Sequence, residues 1–236
     1  MIVLETLGRR WFAFAFVAAL VWAAWPDGGW RRGLRFLAIS FVLSFAAEYA
    51  STRTGFPYGG YEYIAPTHGK ELYLSNVPLF VPLSFGAVVW SGRALALGTR
   101  FARGLPGLAI GGAFFATVID AAVDPMTLIG SRWFLGDLYR YDAGGSWFDV
   151  PWSNFAGWVL VSAVIIALDE AAHRRPPLRA TFGRGRLLAL GTCVFFVVLA
   201  LATRSWAIAA GSLALTAVLA VVAFGARRTF AAEPSS

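Results

Sequence analysis

The chain has 236 residues, 58% of them hydrophobic and only 14% charged, with a mean hydropathy of +0.64. A soluble domain carries about a quarter charged residues, so this sequence lacks the polar surface to stay in water and reads as an integral membrane protein. A lone cysteine, Cys193, excludes a disulfide framework, an aromatic content of 16% excludes disorder, and the +7 net charge comes from arginines set between apolar runs, which suits anionic lipid rather than nucleic acid.

A span needs about 20 mostly apolar residues. In chain order the candidates are about 10–25, 33–52, 77–98, 105–124, 154–170, 187–203 and 205–225. Arg9 and Arg10 ahead of the first run resemble the start of a signal peptide. Trp11, Trp22 and Trp25, with no small-x-small cleavage site, favour a retained helix. The last two runs flank Thr203-Arg204-Ser205, which predicts a tight helical hairpin. The expected fold is therefore an all-α polytopic bundle of about seven spans, one membrane domain over 1–236 with a short tail from 226. Basic residues divide 13 against 7 between its two sides, which places the N-terminus outside and the C-terminus in the cytoplasm of the plasma or inner membrane. The loops 53–76 and 125–153 then share the outer face. Both are rich in Gly, Pro, Tyr and Trp, and both are expected to fold over the mouth of the bundle.

Three carboxylates fall at membrane depth, where a charge costs at least about 2.5–3.5 kcal/mol. Glu48 lies on a stripe with Ser40, Ser44 and Ser51, and Asp120 and Asp124 are four residues apart, hence on one helix face, with Thr117 extending it inward. A bland reading is open for two of them: Asp124 before Pro125 can end a helix, and Glu48 can pair with Arg53. A carboxylic acid held protonated beside an apolar cavity can protonate an alkene, and aromatic faces stabilise the cation that results. Tyr58, Tyr61, Tyr63, Trp133, Trp147, Trp152 and Trp158 supply such rings near the expected mouth, although anchoring at the interface accounts for any one of them. Gly107, Gly111 and Gly112 read as a helix contact, and Arg93 as a snorkelling side chain. His68 and His173 fall on opposite faces, so they cannot share a metal.

The ordered segments resemble the carotenoid biosynthesis family of membrane proteins that includes the carotenoid 1′,2′-hydratases and bisanhydrobacterioruberin hydratases. The resemblance is carried by Glu48 followed by Thr54-Gly55-Phe56-Pro57-Tyr58-Gly59-Gly60-Tyr61-Glu62-Tyr63. Next come Val77-Pro78, Val81-Pro82 and Trp90, then Asp120-x-x-x-Asp124-Pro125 and Trp133. Val150-Pro151-Trp152-Ser153-Asn154-Phe155-Ala156-Gly157-Trp158 completes it. It covers about 45–160, and it departs where the family prefers Tyr-Gly before Val-Pro and this chain has Phe148-Asp149. The resemblance implies addition of water across the terminal C1′=C2′ double bond of an acyclic carotenoid, a carbon–oxygen lyase reaction run without metal or cofactor. The partners it implies are carotenoid, water, membrane lipid and other carotenoid enzymes.

Asp120, a full turn deeper than Asp124, is the expected proton donor. Glu48 or Asp124 would position the water, and Tyr58, Tyr61, Tyr63, Pro82, Trp90, Trp133, Trp152, Asn154 and Trp158 would bind the substrate. Two other classes compete: a Mg-dependent intramembrane prenyltransferase using Asp120 and Asp124, and a non-catalytic carotenoid-binding or transport protein.

Overall fold

A computed structural model of the chain describes residues 2–64, 71–99, 102–132, 138–173 and 182–230. Lys70, His68, Trp133 and the tail beyond 230 lie outside the described residues. Among the described residues eight α-helices run in order: α1 (Ile2–Arg9), α2 (Trp11–Ala24), α3 (Gly29–Thr54), α4 (Phe80–Ala96), α5 (Gly104–Val123), α6 (Trp152–Ala172), α7 (Phe182–Ala202) and α8 (Trp206–Phe230). Five of them, α3 and α5 to α8, are long and apolar enough to cross a membrane; α2 and α4 are shorter apolar helices. The seven expected spans thus map onto α2 to α8, and only the short α1 was not anticipated. The hairpin between α7 and α8 turns at Arg204, whose φ of 57° is left-handed.

Helix α4 sits at the centre, packed on α2, α3, α5 and α7. Its approach to α5 is backbone to backbone: a Cβ on Gly92 would strike Gly112 and Ala116, and one on Gly112 would meet the Arg93 backbone at 3.1 Å. The small-residue contact therefore uses Gly112 against Gly92. Such close approach lets dispersion hold helices together where lipid gives no hydrophobic drive.

The two long loops are joined by a ribbon. Strand β1 (Tyr61–Tyr63) pairs antiparallel with β4 (Tyr139–Tyr141), with Tyr61 opposite Tyr141, Glu62 opposite Arg140 and Tyr63 opposite Tyr139. Between them in the chain, β2 (Tyr73–Leu74) and β3 (Val77–Pro78) form a second short pair. A buried ion pair, Arg10 Nε to Glu71 at 2.6 Å, ties this second pair to the start of α2. Pro125 has no N–H to continue α5. The carbonyls left open there accept from Trp147 Nε1 (Ala121, 2.8 Å) and Ser212 Oγ (Ala122, 2.6 Å), which docks the 138–151 loop and α8 on the end of α5.

At the opposite end of the bundle lies a buried ionic cluster that the sequence reading did not anticipate. Asp27 Oδ2 meets Arg32 at 2.7 Å and Arg93 at 2.9 Å. Asp169 takes Arg32 at 2.8 Å and Arg35 at 2.7 Å, and Glu170 Oε1 takes Arg32 and Arg93, each at 2.6 Å. Arg93 does not snorkel: it is fully buried and its charge is neutralised inside the bundle. The cluster joins α3, α4 and α6 to the 25–27 turn. His173 borders it, 3.9 Å from Asp27; burial, and then Arg32, hold its imidazole below the usual pKa.

Breaking a buried pair by removing one partner costs about 3–5 kcal/mol, because the other charge is left uncompensated. Arg93→Met should therefore lower the thermal unfolding temperature of detergent-solubilised protein sharply. Neutralising one carboxylate as well (Glu170→Gln) rebalances the cluster, with Asp27 and Asp169 left for Arg32 and Arg35, and should recover part of the loss.

Candidate active site

Helices of alternating direction bring one end of each to the mouth of the bundle. The last turns of α3 deliver Glu48, the end of α5 delivers Asp120 and Asp124, and the first turns of α6 deliver Asn154 and Trp158. All five line one cavity of about 170 Å³. The first turns of α2 and α4 add Phe12, Phe16, Phe80 and Phe85, and α7 adds Thr192, Phe195 and Phe196. No Lys or Arg is among the described residues lining it.

The carboxyl groups are held by neutral donors instead. Asn154 Nδ2 bridges the two aspartates, donating to Asp120 Oδ2 at 3.0 Å and Asp124 Oδ2 at 3.3 Å. Tyr139 donates to Asp124 Oδ1 and Tyr141 to Asp124 Oδ2 at 3.3 Å. Thr127 Oγ1 stands 2.6 Å from Tyr139 Oη. Glu48 Oε2 accepts from Tyr61 and, at 2.7 Å, from Tyr63. Asp120 is the poorest in donors, with Asn154 alone.

These four tyrosines come from alternate positions of β1 and β4. Side chains two apart share a face of a strand, so the paired Tyr-x-Tyr triplets put four rings on the cavity side while Glu62 and Arg140 point outward and are exposed. The rings pack edge to face, Tyr61 to Tyr141 and Tyr139 to Tyr141 each at 5.6 Å between centroids. Burial first, and then the neighbouring carboxyl groups, push the phenols of Tyr63, Tyr139 and Tyr141 well above their ordinary pKa of 10.0. They remain O–H donors at every physiological pH.

Tyr58 is 2% exposed, lines the cavity, and its hydroxyl has no hydrogen-bond partner among the described residues. Its position depends on Gly157 of α6, where a Cβ would meet the Tyr58 ring at 2.5 Å and Pro57 O at 2.8 Å. Below it, Trp158 stacks on Phe85 at 3.9 Å between centroids, with planes 11° apart, and forms a flat aromatic floor.

The cavity therefore gathers Glu48, Tyr58, Tyr61, Tyr63, Asp120, Asp124, Asn154 and Trp158, all expected from the sequence. Three expected residues do not line it. Trp152 is 70% exposed, packed on Phe155 at the edge of the bundle. Trp90 is fully buried beside Phe36, under Arg93 and Arg32, and belongs to the ionic end. Pro82 is buried in the first turn of α4, where its neighbours Val81 and Phe85 form the wall. Glu48 does not pair with Arg53, which instead binds Asn76 at 2.7 Å and Ser75 at 3.2 Å. Tyr139, Tyr141 and Thr127 were missed, although Tyr61-Glu62-Tyr63 and Tyr139-Arg140-Tyr141 repeat one pattern with opposite central charges.

The family described as "Carotenoid biosynthesis protein" matches residues 8–224. A bisanhydrobacterioruberin hydratase from Haloarcula japonica is 30% identical over 174 residues, covering 70% of this chain and 54% of that protein. The chain thus spans about half the length of the curated relative it matches. No solved structure matches. A cavity of carboxyl groups and aromatic rings at one end of a helical membrane bundle, with a family match over nearly the whole chain, leads to one assignment: the chain belongs to the carotenoid biosynthesis protein family.

Proposed function

We propose that the protein is a carotenoid hydratase that adds water across the terminal C1′=C2′ double bond of an acyclic carotenoid end. The observation that carries this reading is the set of three buried carboxyl groups that share an apolar, aromatic cavity with neutral donors and no described cation. The similarity to a bisanhydrobacterioruberin hydratase supports the reaction class. A diphosphate would call for basic residues, and none of the described lining residues is basic, which disfavours the prenyltransferase. A cavity of about 150 Å³ accepts a molecule the size of benzene, so this one suits a single isoprenoid end group. The rest of a polyene must lie outside it. Phe195 both lines the cavity and is 49% exposed on the bundle surface, so the space between α2 and α7 meets the lipid there.

In the mechanism Asp120, with its single donor, is the carboxylic acid. Its proton passes to C2′ and leaves a tertiary cation at C1′. The Trp158–Phe85 floor and the tyrosine rings face that cation with electron-rich surfaces that cannot capture it. A water held by the free hydroxyl of Tyr58 or by Glu48 bonds to C1′ and gives its proton to Asp124, whose several donors suit an anion. The sum is one water added, with the proton returned to Asp120 through water. The 13-to-7 distribution of basic residues supports placing this mouth, and the N-terminus, on the non-cytoplasmic side of the cell membrane.

Asp120→Asn keeps the shape and the Asn154 contact but has no acidic proton. It should abolish the mass gain of one water on an acyclic carotenoid while pigment still co-purifies. Retention of more than about a tenth of wild-type activity would exclude Asp120 as the acid, since general acid catalysis is worth about 10²-fold or more. A changed carbon number would mark a transferase instead, and an unaltered carotenoid with wild-type protein a binding protein. Trp158→Leu should leave pigment binding nearly intact and slow hydration by about 2- to 30-fold, the range of a cation–π contact of about 0.5–2 kcal/mol.

A further inference from the structure

A second cavity, of about 310 Å³, adjoins the tyrosine ribbon. It is lined by Ile64, Leu128, Arg140, Gly144 and Asp149, and it shares Tyr139 and Tyr141 with the reaction cavity. The two spaces therefore have these tyrosines as a common wall. Their chemistry differs: the inner cavity is walled by phenylalanines with no cation among its described lining residues, whereas this one brings together a guanidinium, a carboxylate and two tyrosines. It is polar and roomy enough for water, which needs only about 10–15 Å³ and two to four polar partners.

The hydration reading requires a route for water that does not pass through lipid. The geometry points to the cavity beneath Arg140 and Asp149 as the water inlet of the enzyme, with Tyr139 and Tyr141 as the partition that water crosses to reach Asp124. Both phenols already hydrogen-bond that carboxyl group, Tyr141 through a long contact of 3.3 Å, so a water arriving between them exchanges one hydrogen bond for another. The partition is one ribbon thick: Arg140 lines the vestibule, while Tyr139 and Tyr141 of the same strand hydrogen-bond Asp124 on the other face. Asp149 has a structural reason to be unusual here. It sits with Phe148 at the tip of a turn closed by Trp147 and Val150, and both central residues have positive φ, 50° and 69°. Glycine is the ordinary occupant of such a position and Asp one of the few substitutes, so this chain places a carboxylate on the vestibule wall where a side chain is usually absent. The carotenoid and the water then reach Asp120 and Asp124 from different sides, one from lipid between α2 and α7, the other from the aqueous face.

This inference rests on the hydratase reading, and cysteine chemistry separates the two. Cys193 is buried and is the sole cysteine, so background labelling is low. Ile64 lines the vestibule but not the reaction cavity, and Ile64→Cys should hydrate carotenoid normally. A charged, bilayer-impermeant methanethiosulfonate should label it in intact vesicles, abolish most hydration and leave the absorption band of bound carotenoid unchanged. Failure to label, or full hydration after complete labelling, overturns the inlet while leaving the hydratase reading in place. Brief X-ray radiolysis of water tests the route with no carotenoid present. Val88 and Phe85 on the inner wall should be oxidised in unlabelled Ile64→Cys protein and protected once it is labelled. Equal oxidation in both overturns the inlet whatever the reaction is.

Discussion

A carboxyl group in hydrocarbon has to be answered by a cation or by hydrogen-bond donors, and the bundle uses a different answer at each end. At the Arg32–Arg93 end the answer is charge: Asp27, Asp169 and Glu170 are met at 2.6 to 2.9 Å by arginines from two other helices. At the mouth it is neutral: phenols and one amide meet Glu48, Asp120 and Asp124. Ion pairs in a low-dielectric interior are directional and hard to separate, so the first end holds the helices in register. Neutral donors hold a carboxyl group without fixing its protonation state, which leaves the second end able to exchange protons.

The contrast also explains why the site needs two loops rather than helices alone. A helix offers donors spaced at three and four residues along one face, and its backbone groups are already used. Glu48 and Asp124 sit at helix ends, facing a mouth that water would otherwise flood. A β-ribbon laid across that mouth supplies four phenols from one face within three residue pairs and closes the opening with the same atoms.

Much of this was legible in the sequence. The spans follow from apolar length alone, and the grouping of Glu48, Asp120, Asp124 and Asn154 follows from which helix ends share a side. Two parts were not. Asp27, Asp169 and Glu170 stand at the margins of apolar runs, where charges are ordinary, and one-dimensional hydropathy cannot say that three helices converge on them. Tyr139 and Tyr141 lie in a loop without hydrophobic periodicity long enough to announce a strand. Only their pairing with Tyr61 and Tyr63, about 80 residues earlier, gives them a direction. Trp90 and Trp152 lie off the cavity for the converse reason: residue type indicated a binding wall, but position along α4 puts Trp90 at the ionic end and Trp152 is turned outward.

The strict alternation of the ribbon makes it an all-or-none device during evolution of the loops. Because strand side chains have a period of two, a slip of one residue in either strand would turn its tyrosines outward and bring Glu62 or Arg140 over the carboxyl groups. A cation there would be captured by Asp124 or Glu48 as a salt bridge, and the mouth would come to resemble the inert far end of the bundle. Insertions can accumulate in the loops outside the triplets, where they alter what the outer face presents. Within the triplets, length is fixed by parity.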